Sequence, residues 1–135
     1  MSDSILNFYA QNHASFLHGH GLLATQKMLA QLKLHGQEKV LEIGYGTGAS
    51  LVFLKSCYPN IQLTGGDISP LMYQKARQRI AFTGFKKSID IQLFSDSDNL
   101  PFANERFDVV WIESVLAILE TPMLHQMLTN IERIL

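Results

Sequence analysis

The chain has 135 residues, which suits one domain that buries a real core but is small for an open α/β sheet. Hydrophobic residues at 47% and charged residues at 17% exclude a disordered or fibrous chain, while 11 basic against 12 acidic residues, for a net charge of -1, leave no nucleic-acid footprint. Cys57 is the sole cysteine, which excludes an internal disulfide or a multi-thiolate metal site.

Cys57 is expected as a small buried hydrophobe, and Lys75, Arg77, Arg79, Lys86 and Lys87 as a solvated helix face. With no basic leader before an apolar stretch and no run of about 18 apolar residues, a cytoplasmic protein without membrane contact is expected.

Periodicity separates a helical N-terminal segment, 1–36, from an alternating strand and helix core, 37–135. Asp3 to Leu17 reads as a loose helix. After His18-Gly19-His20-Gly21, the residues Leu22, Thr25, Leu29 and Leu32 share one face of a helix ending near Gly36. Val40 to Ile43 is a strand, Ala49 to Cys57 a helix closed by Tyr58-Pro59-Asn60, and Ile61 to Gly65 a second strand. Ser69-Pro70 supplies an N-cap and a proline at the first helical position, with Leu71, Met72, Ala76 and Ile80 as the buried stripe up to Gly84.

Ile89 to Phe94 alternates apolar and polar residues as a third strand. Phe107 to Ile112 is a fourth, apolar almost throughout and so expected to be covered on both faces. Thr121-Pro122 opens the last helix in the same cap-plus-proline manner, with Leu124, Met127, Leu128, Ile131 and Leu135 facing the core. This alternation calls for a parallel sheet with right-handed crossovers, and the fold class is α/β, doubly wound.

The most informative stretch runs from Val40 to Ser50, where Gly44, Gly46 and Gly48 carry the first strand into a helix. Such a turn needs left-handed backbone angles and lets a ligand approach the main chain. Backbone amides and the positive end of the helix then face that ligand. Gly44, Gly46 and Ala49 also satisfy the dinucleotide fingerprint, so an NAD-dependent oxidoreductase is one alternative and a ligand-free tight turn another. Glu42 favours S-adenosylmethionine, because a carboxylate beside the glycines suits an ammonium and a sulfonium and repels a pyrophosphate.

Glu42-x-Gly44-x-Gly46-x-Gly48 resembles motif I, D/E-x-G-x-G-x-G, of the class I (Rossmann-like) S-adenosylmethionine-dependent methyltransferases, and further motifs follow in order over 37–135. The resemblance implies the strand order 3-2-1-4 and a cofactor lying against Glu42, Gly44, Tyr45, Gly46 and Gly48. Asp67 stands 19 residues after Gly48, where both nucleotide-binding families place an acid that accepts from ribose hydroxyls. Ile68 is carried over with it. The competing reading has Asp67 or Ser69 capping the next helix.

Ser95 to Phe102 resembles the family's segment after the third strand. That match implies that Asp96 accepts from the adenine amino group and that the backbone of Ser97 touches the ring, while Asp98 reads as a solvated turn acid. Phe107-Asp108-Val109-Val110 resembles the family's Phe-Asp-x-Val, where the aspartate is structural. Glu113 ends the fourth strand at the ligand crevice; it contacts the cofactor or the acceptor, or it caps the short helix that follows.

His18 and His20 are candidate proton acceptors in an N-terminal segment expected to act as a lid, with solvated turn histidines as the competing reading. The histidine that follows the fourth strand in many small-molecule methyltransferases is replaced by Val115-Leu116-Ala117-Ile118-Leu119, so no catalytic base is assigned. A small-molecule acceptor is expected, with a binding module lacking turnover as the alternative. Family members continue after the last helix with a Lys-Pro-Gly-Gly-like turn and three strands that are not in this sequence. The fourth strand and the outer face of the last helix are therefore expected to lie bare, giving a homodimer through the sheet edge or a fragment of low stability. Size-exclusion chromatography with thermal melting checks this, and a clean monomer with a high Tm counts against both outcomes.

Overall fold

A computed structural model of the chain describes residues 8, 11, 15–16, 20–95 and 99–135. In chain order the elements are α1 (Gly21–Leu32), β1 (Lys39–Ile43), α2 (Ala49–Cys57), β2 (Gln62–Asp67), α3 (Pro70–Phe82), β3 (Ile89–Leu93), β4 (Val109–Ile112), a 3-10 turn (Leu116–Ile118) and α4 (Thr121–Ile134). The strands pair in parallel in the order β3-β2-β1-β4, as the sequence leads one to expect. No helix among the described residues is long and apolar enough to cross a membrane.

Alternation along β1 feeds two cores. Val40 joins Leu51 and Leu54 of α2, Ala76 and Ile80 of α3, and Leu29 of α1. Leu41 and Ile43 join Phe94, Leu100 and Phe107 with Met127 and Ile134 of α4 on the other face. Asp108 anchors the start of β4, because its Oδ2 accepts the Lys39 N–H at 2.8 Å and its own N–H donates to the Lys39 carbonyl at 2.9 Å. That aspartate is structural, as expected. Ser69 caps α3 by accepting the Met72 N–H, with Pro70 in the first turn.

Five expectations need correction. Cys57 is exposed, because the buried face of α2 runs through Leu51, Leu54 and Lys55, and position 57 falls off it. Lys55 is buried instead, its Nζ donating to the Ile61 carbonyl at 2.6 Å. On α1 only Thr25 and Leu29 are buried, while Leu22 and Leu32 at the ends of the stripe are exposed.

The remaining three concern the fourth strand and the last helix. β4 is only partly covered, with Trp111 its one buried residue, because it forms an edge of the sheet. α4 starts from an extended Glu120 rather than from a Thr121 cap; the Glu120 carbonyl accepts the Leu124 N–H, and no side chain caps the helix. Its buried residues are Met127, Asn130 and Ile134, whereas Leu128 and Leu135 are 47% and 50% exposed. Polar anchors set that rotation. Asn130 Oδ1 accepts the Leu100 N–H at 3.4 Å, and Arg133 donates to the carbonyls of Phe102 and Leu100 at 2.6 and 2.9 Å.

Gly66 on β2 leaves room for a ring, since a Cβ there would stand 1.9 Å from Phe94 Cζ. Gly66→Ala is therefore expected to cost roughly 1–3 kcal/mol by overpacking, measured by urea denaturation. Adding Phe94→Leu to that variant is expected to recover part of the loss, and strictly additive losses would refute the contact.

Candidate cofactor site

The site begins where β1 runs out. Gly44 and Gly48 have φ of 76° and 78°, in the left-handed region that glycine adopts without penalty. The Gly44 N–H donates to the Gly66 carbonyl at 2.7 Å and ties the turn to β2. A Cβ on Gly44 would meet Val115 Cγ2 at 2.2 Å, and one on Gly48 would meet Ala76 Cβ at 3.0 Å. Gly48 thus lets α2 approach α3.

Between this turn, the ends of β2 and β4 and the start of α4 lies a cavity of about 240 Å³. It opens at the carboxyl ends of the parallel strands, where ligands of open α/β sheets bind. Of the residues singled out from the sequence, Glu42, Gly44, Tyr45, Gly46, Asp67, Ile68 and Glu113 line it together. Gly48 is not among the lining residues; a Cβ there would meet Ala76 of α3, so it packs beneath the turn. Asp96, Ser97, Asp98 and His18 lie outside the described residues. His20 is exposed at the start of α1 and does not line the cavity.

Glu42 is 2% exposed. Strand alternation puts it on the Val40 side, under the first turn of α2, where Ser50 Oγ donates to its Oε1. Its Oε2 has no partner among the described residues. Burial raises the Glu42 pKa to about 8; the Ser50 hydrogen bond works against that rise, while the charges of Glu113 and Asp67 add to it.

Asp67 Oδ2 accepts the Gly46 N–H and Oδ1 the Ser69 N–H, both at 2.9 Å, so this side chain clamps two turns while it faces the cavity. Burial raises its pKa, and those N–H groups partly counter the rise. Ser69 is the residue that caps α3, which settles the capping alternative in its favour.

Glu113 accepts from Thr25 Oγ1 at 3.0 and 3.1 Å and from Trp111 Nε1 at 2.8 Å. It does not cap the following turn, whose N-cap is Val115 with no side-chain hydrogen bond. Tyr45 keeps its ring under β2, with its hydroxyl donating to the Gln92 carbonyl at 3.3 Å.

Several lining residues carry no sequence signal. Val115, Ile118, Leu119, Met123 and Met127 give the cavity an apolar lining, drawn from the stretch after β4 and from α4. Ser50 was detectable in principle, as a hydroxyl in the first helical turn after the glycines. Thr25 lies 88 positions from Glu113, and nothing local couples them.

A doubly wound α/β domain with a glycine turn opening on an acid-lined cleft defines a Rossmann-like class. Residues 40–135 match the family described as "Methyltransferase domain", and the chain belongs to that family. The ubiquinone/menaquinone biosynthesis C-methyltransferase of Desulfotalea psychrophila is 39% identical over 75 residues, covering 56% of this chain and 28% of that protein. Malonyl-[acyl-carrier protein] O-methyltransferase of Laribacter hongkongensis is 30% identical over 102 residues, covering 71% of this chain and 34% of its own length. The chain thus spans about a third or less of these curated relatives. A SAM-dependent methyltransferase from Aquifex aeolicus superposes with a TM-score of 0.74 at 17% identity, covering 99% of this chain and 67% of that one, and shares the fold. S-adenosylmethionine is the cofactor of this family.

The elevated Glu42 pKa makes stability pH-dependent. The folded state keeps a proton that the unfolded chain loses near the ordinary value of 4.5, so this contribution is fully present below about 4.5 and is lost as pH rises towards about 8. Urea midpoints at pH 5.5 and 7.5 are expected to fall for the native chain and to flatten for Glu42→Gln. Parallel pH dependence in the two proteins would place the proton elsewhere.

Proposed function

We propose that the chain is the cofactor-binding part of an S-adenosylmethionine-dependent methyltransferase acting on a small molecule. One observation carries this reading: three carboxylates, from Glu42, Asp67 and Glu113, face one cavity behind a glycine turn, with no Lys, Arg or His among its described lining residues.

That donor set fits an adenosyl sulfonium compound. Both Asp67 oxygens already accept one backbone N–H and keep lone pairs for a ribose diol. Glu42 Oε2, buried and without a partner among the described residues, is an oxygen left over for a cationic group of the ligand. Ile68 is exposed beside Asp67 as an apolar face for a purine. A dinucleotide pyrophosphate would meet the same acids without a compensating cation, which disfavours the oxidoreductase alternative.

When bound, the cofactor supplies a methyl group activated by its positively charged sulfur. The protein's share is alignment and dryness. The acids and the glycine turn orient the cofactor, and the wall of Val115, Ile118, Leu119, Met123 and Met127 excludes water from the reacting side. The same wall supports an apolar small acceptor, in keeping with relatives named for ubiquinone and menaquinone biosynthesis.

Calorimetric titration is expected to show saturable binding of S-adenosylmethionine and weaker or no binding of NAD, and the reverse ranking would overturn the proposal. Asp67→Ala is expected to weaken S-adenosylmethionine binding roughly 10- to 100-fold, the range for charge-assisted hydrogen bonds. Methyl transfer from labelled cofactor to a panel of apolar acceptors separates an enzyme from a binding module without turnover.

A further inference from the structure

The three acids of the cavity are not equivalent. Asp67 is held by two backbone N–H groups, and Glu113 by the Thr25 hydroxyl and the Trp111 indole N–H. Donors of that kind stabilise a carboxylate. Among the described residues Glu42 has one hydroxyl partner, Ser50, and a second oxygen that meets none.

The charged groups that act on Glu42 are both acids, Asp67 at the end of β2 and Glu113 beyond β4. Among the described residues, α2 contributes Ser50 to Glu42, and the helix residues that line the same cavity, Met72 of α3 and Met123 and Met127 of α4, are neutral. Glu42 has the fewest donors of the three, and its burial beside two like charges favours its protonated form.

We propose that Glu42 reads the charge of the cavity's ligand, releasing a proton when a sulfonium enters and taking one back when the ligand is the neutral thioether left after methyl transfer. The inference rests on the cofactor reading above. The proton leaves Oε2 for solvent as the positive sulfur arrives, so the site gains one negative charge as it gains one positive charge. Once the methyl group has gone to the acceptor and the sulfur is neutral, a proton from solvent returns to Glu42. The charge of the cavity thereby follows the charge of the sulfur it holds.

Linkage makes this measurable. S-adenosylmethionine and S-adenosylhomocysteine share the amino acid and adenosine groups and differ in the sulfur charge, so their difference isolates the group that answers it. Calorimetry of both ligands at pH 7, in buffers of unequal ionisation heat, counts protons exchanged. The expected result is about one more proton released with S-adenosylmethionine, and a preference for it that grows about tenfold per pH unit between pH 5.5 and 7.5. In Glu42→Gln the difference in proton count is expected to vanish and the preference to lose its pH dependence.

Equal proton counts for the two ligands in the native chain would overturn the inference while leaving the cofactor reading intact, as would a difference that survives in Glu42→Gln. Absence of saturable heat with either ligand would sink the cofactor reading itself. If Glu42→Gln does not fold, Ser50→Ala serves, because removing the hydroxyl that favours the carboxylate shifts the pH dependence upward. An unchanged profile in that variant also counts against the inference.

Discussion

The site depends on a carboxyl group buried at the end of the central strand. β1 pairs with β2 on one side and β4 on the other, so its side chains must alternate between two cores. Val40 and Glu42 turn towards α2, Leu41 and Ile43 towards α4. A carboxyl at position 42 therefore sits where an aliphatic chain would pack, and a buried charge left without partners is costly. Ser50 satisfies one oxygen. The other has no partner among the described residues, and Glu42 lines the cavity, so the fold carries a local penalty at that site.

The surrounding elements keep that geometry in place. Gly48 brings α2 against Ala76 of α3 and so fixes Ser50 over Glu42, while Gly44 leaves the space that Val115 occupies. Asp67 bridges the first turn to the cap of α3 through the N–H groups of Gly46 and Ser69. On the far side Glu113 is joined to α1 through Thr25, a residue with no exposed surface, so the helix before the sheet is tied to the mouth of the cavity. Loss of any one of these contacts would act on the acids through their positions.

Much of this was readable from the sequence wherever a pattern is local. The helix Ala49–Cys57 and the cap at Ser69 fall where the glycine turn and the Ser-Pro pair place them, the alternation of elements gives the parallel sheet, and its strand order is the one that the family resemblance implies. What escaped depends on contacts between distant segments. The rotation of α4 is set by Asn130 and Arg133 reaching the backbone at 100–102, so the hydrophobic stripe holds at Met127 and Ile131 but fails at Leu128 and Leu135. Cys57 and Lys55 exchange their usual places because helical phase outranks side-chain type; a lysine can follow an apolar face and still bring its amine to a carbonyl. The Thr25–Glu113 pair requires the folded sheet before the two residues meet.

The glycine spacing does not itself select a ligand, since the same turn satisfies two fingerprints of opposite electrostatic character. A helix N-terminus behind a glycine turn attracts anions, and α2 presents such an end. Here Glu42 is hydrogen-bonded to Ser50 in the first turn of that helix, and Asp67 occupies the Gly46 N–H. The amides that would otherwise meet a phosphate thus lie beside two fixed acids. The strand phase that buries Glu42 therefore also sets an acid beside the helix end that would otherwise attract an anion.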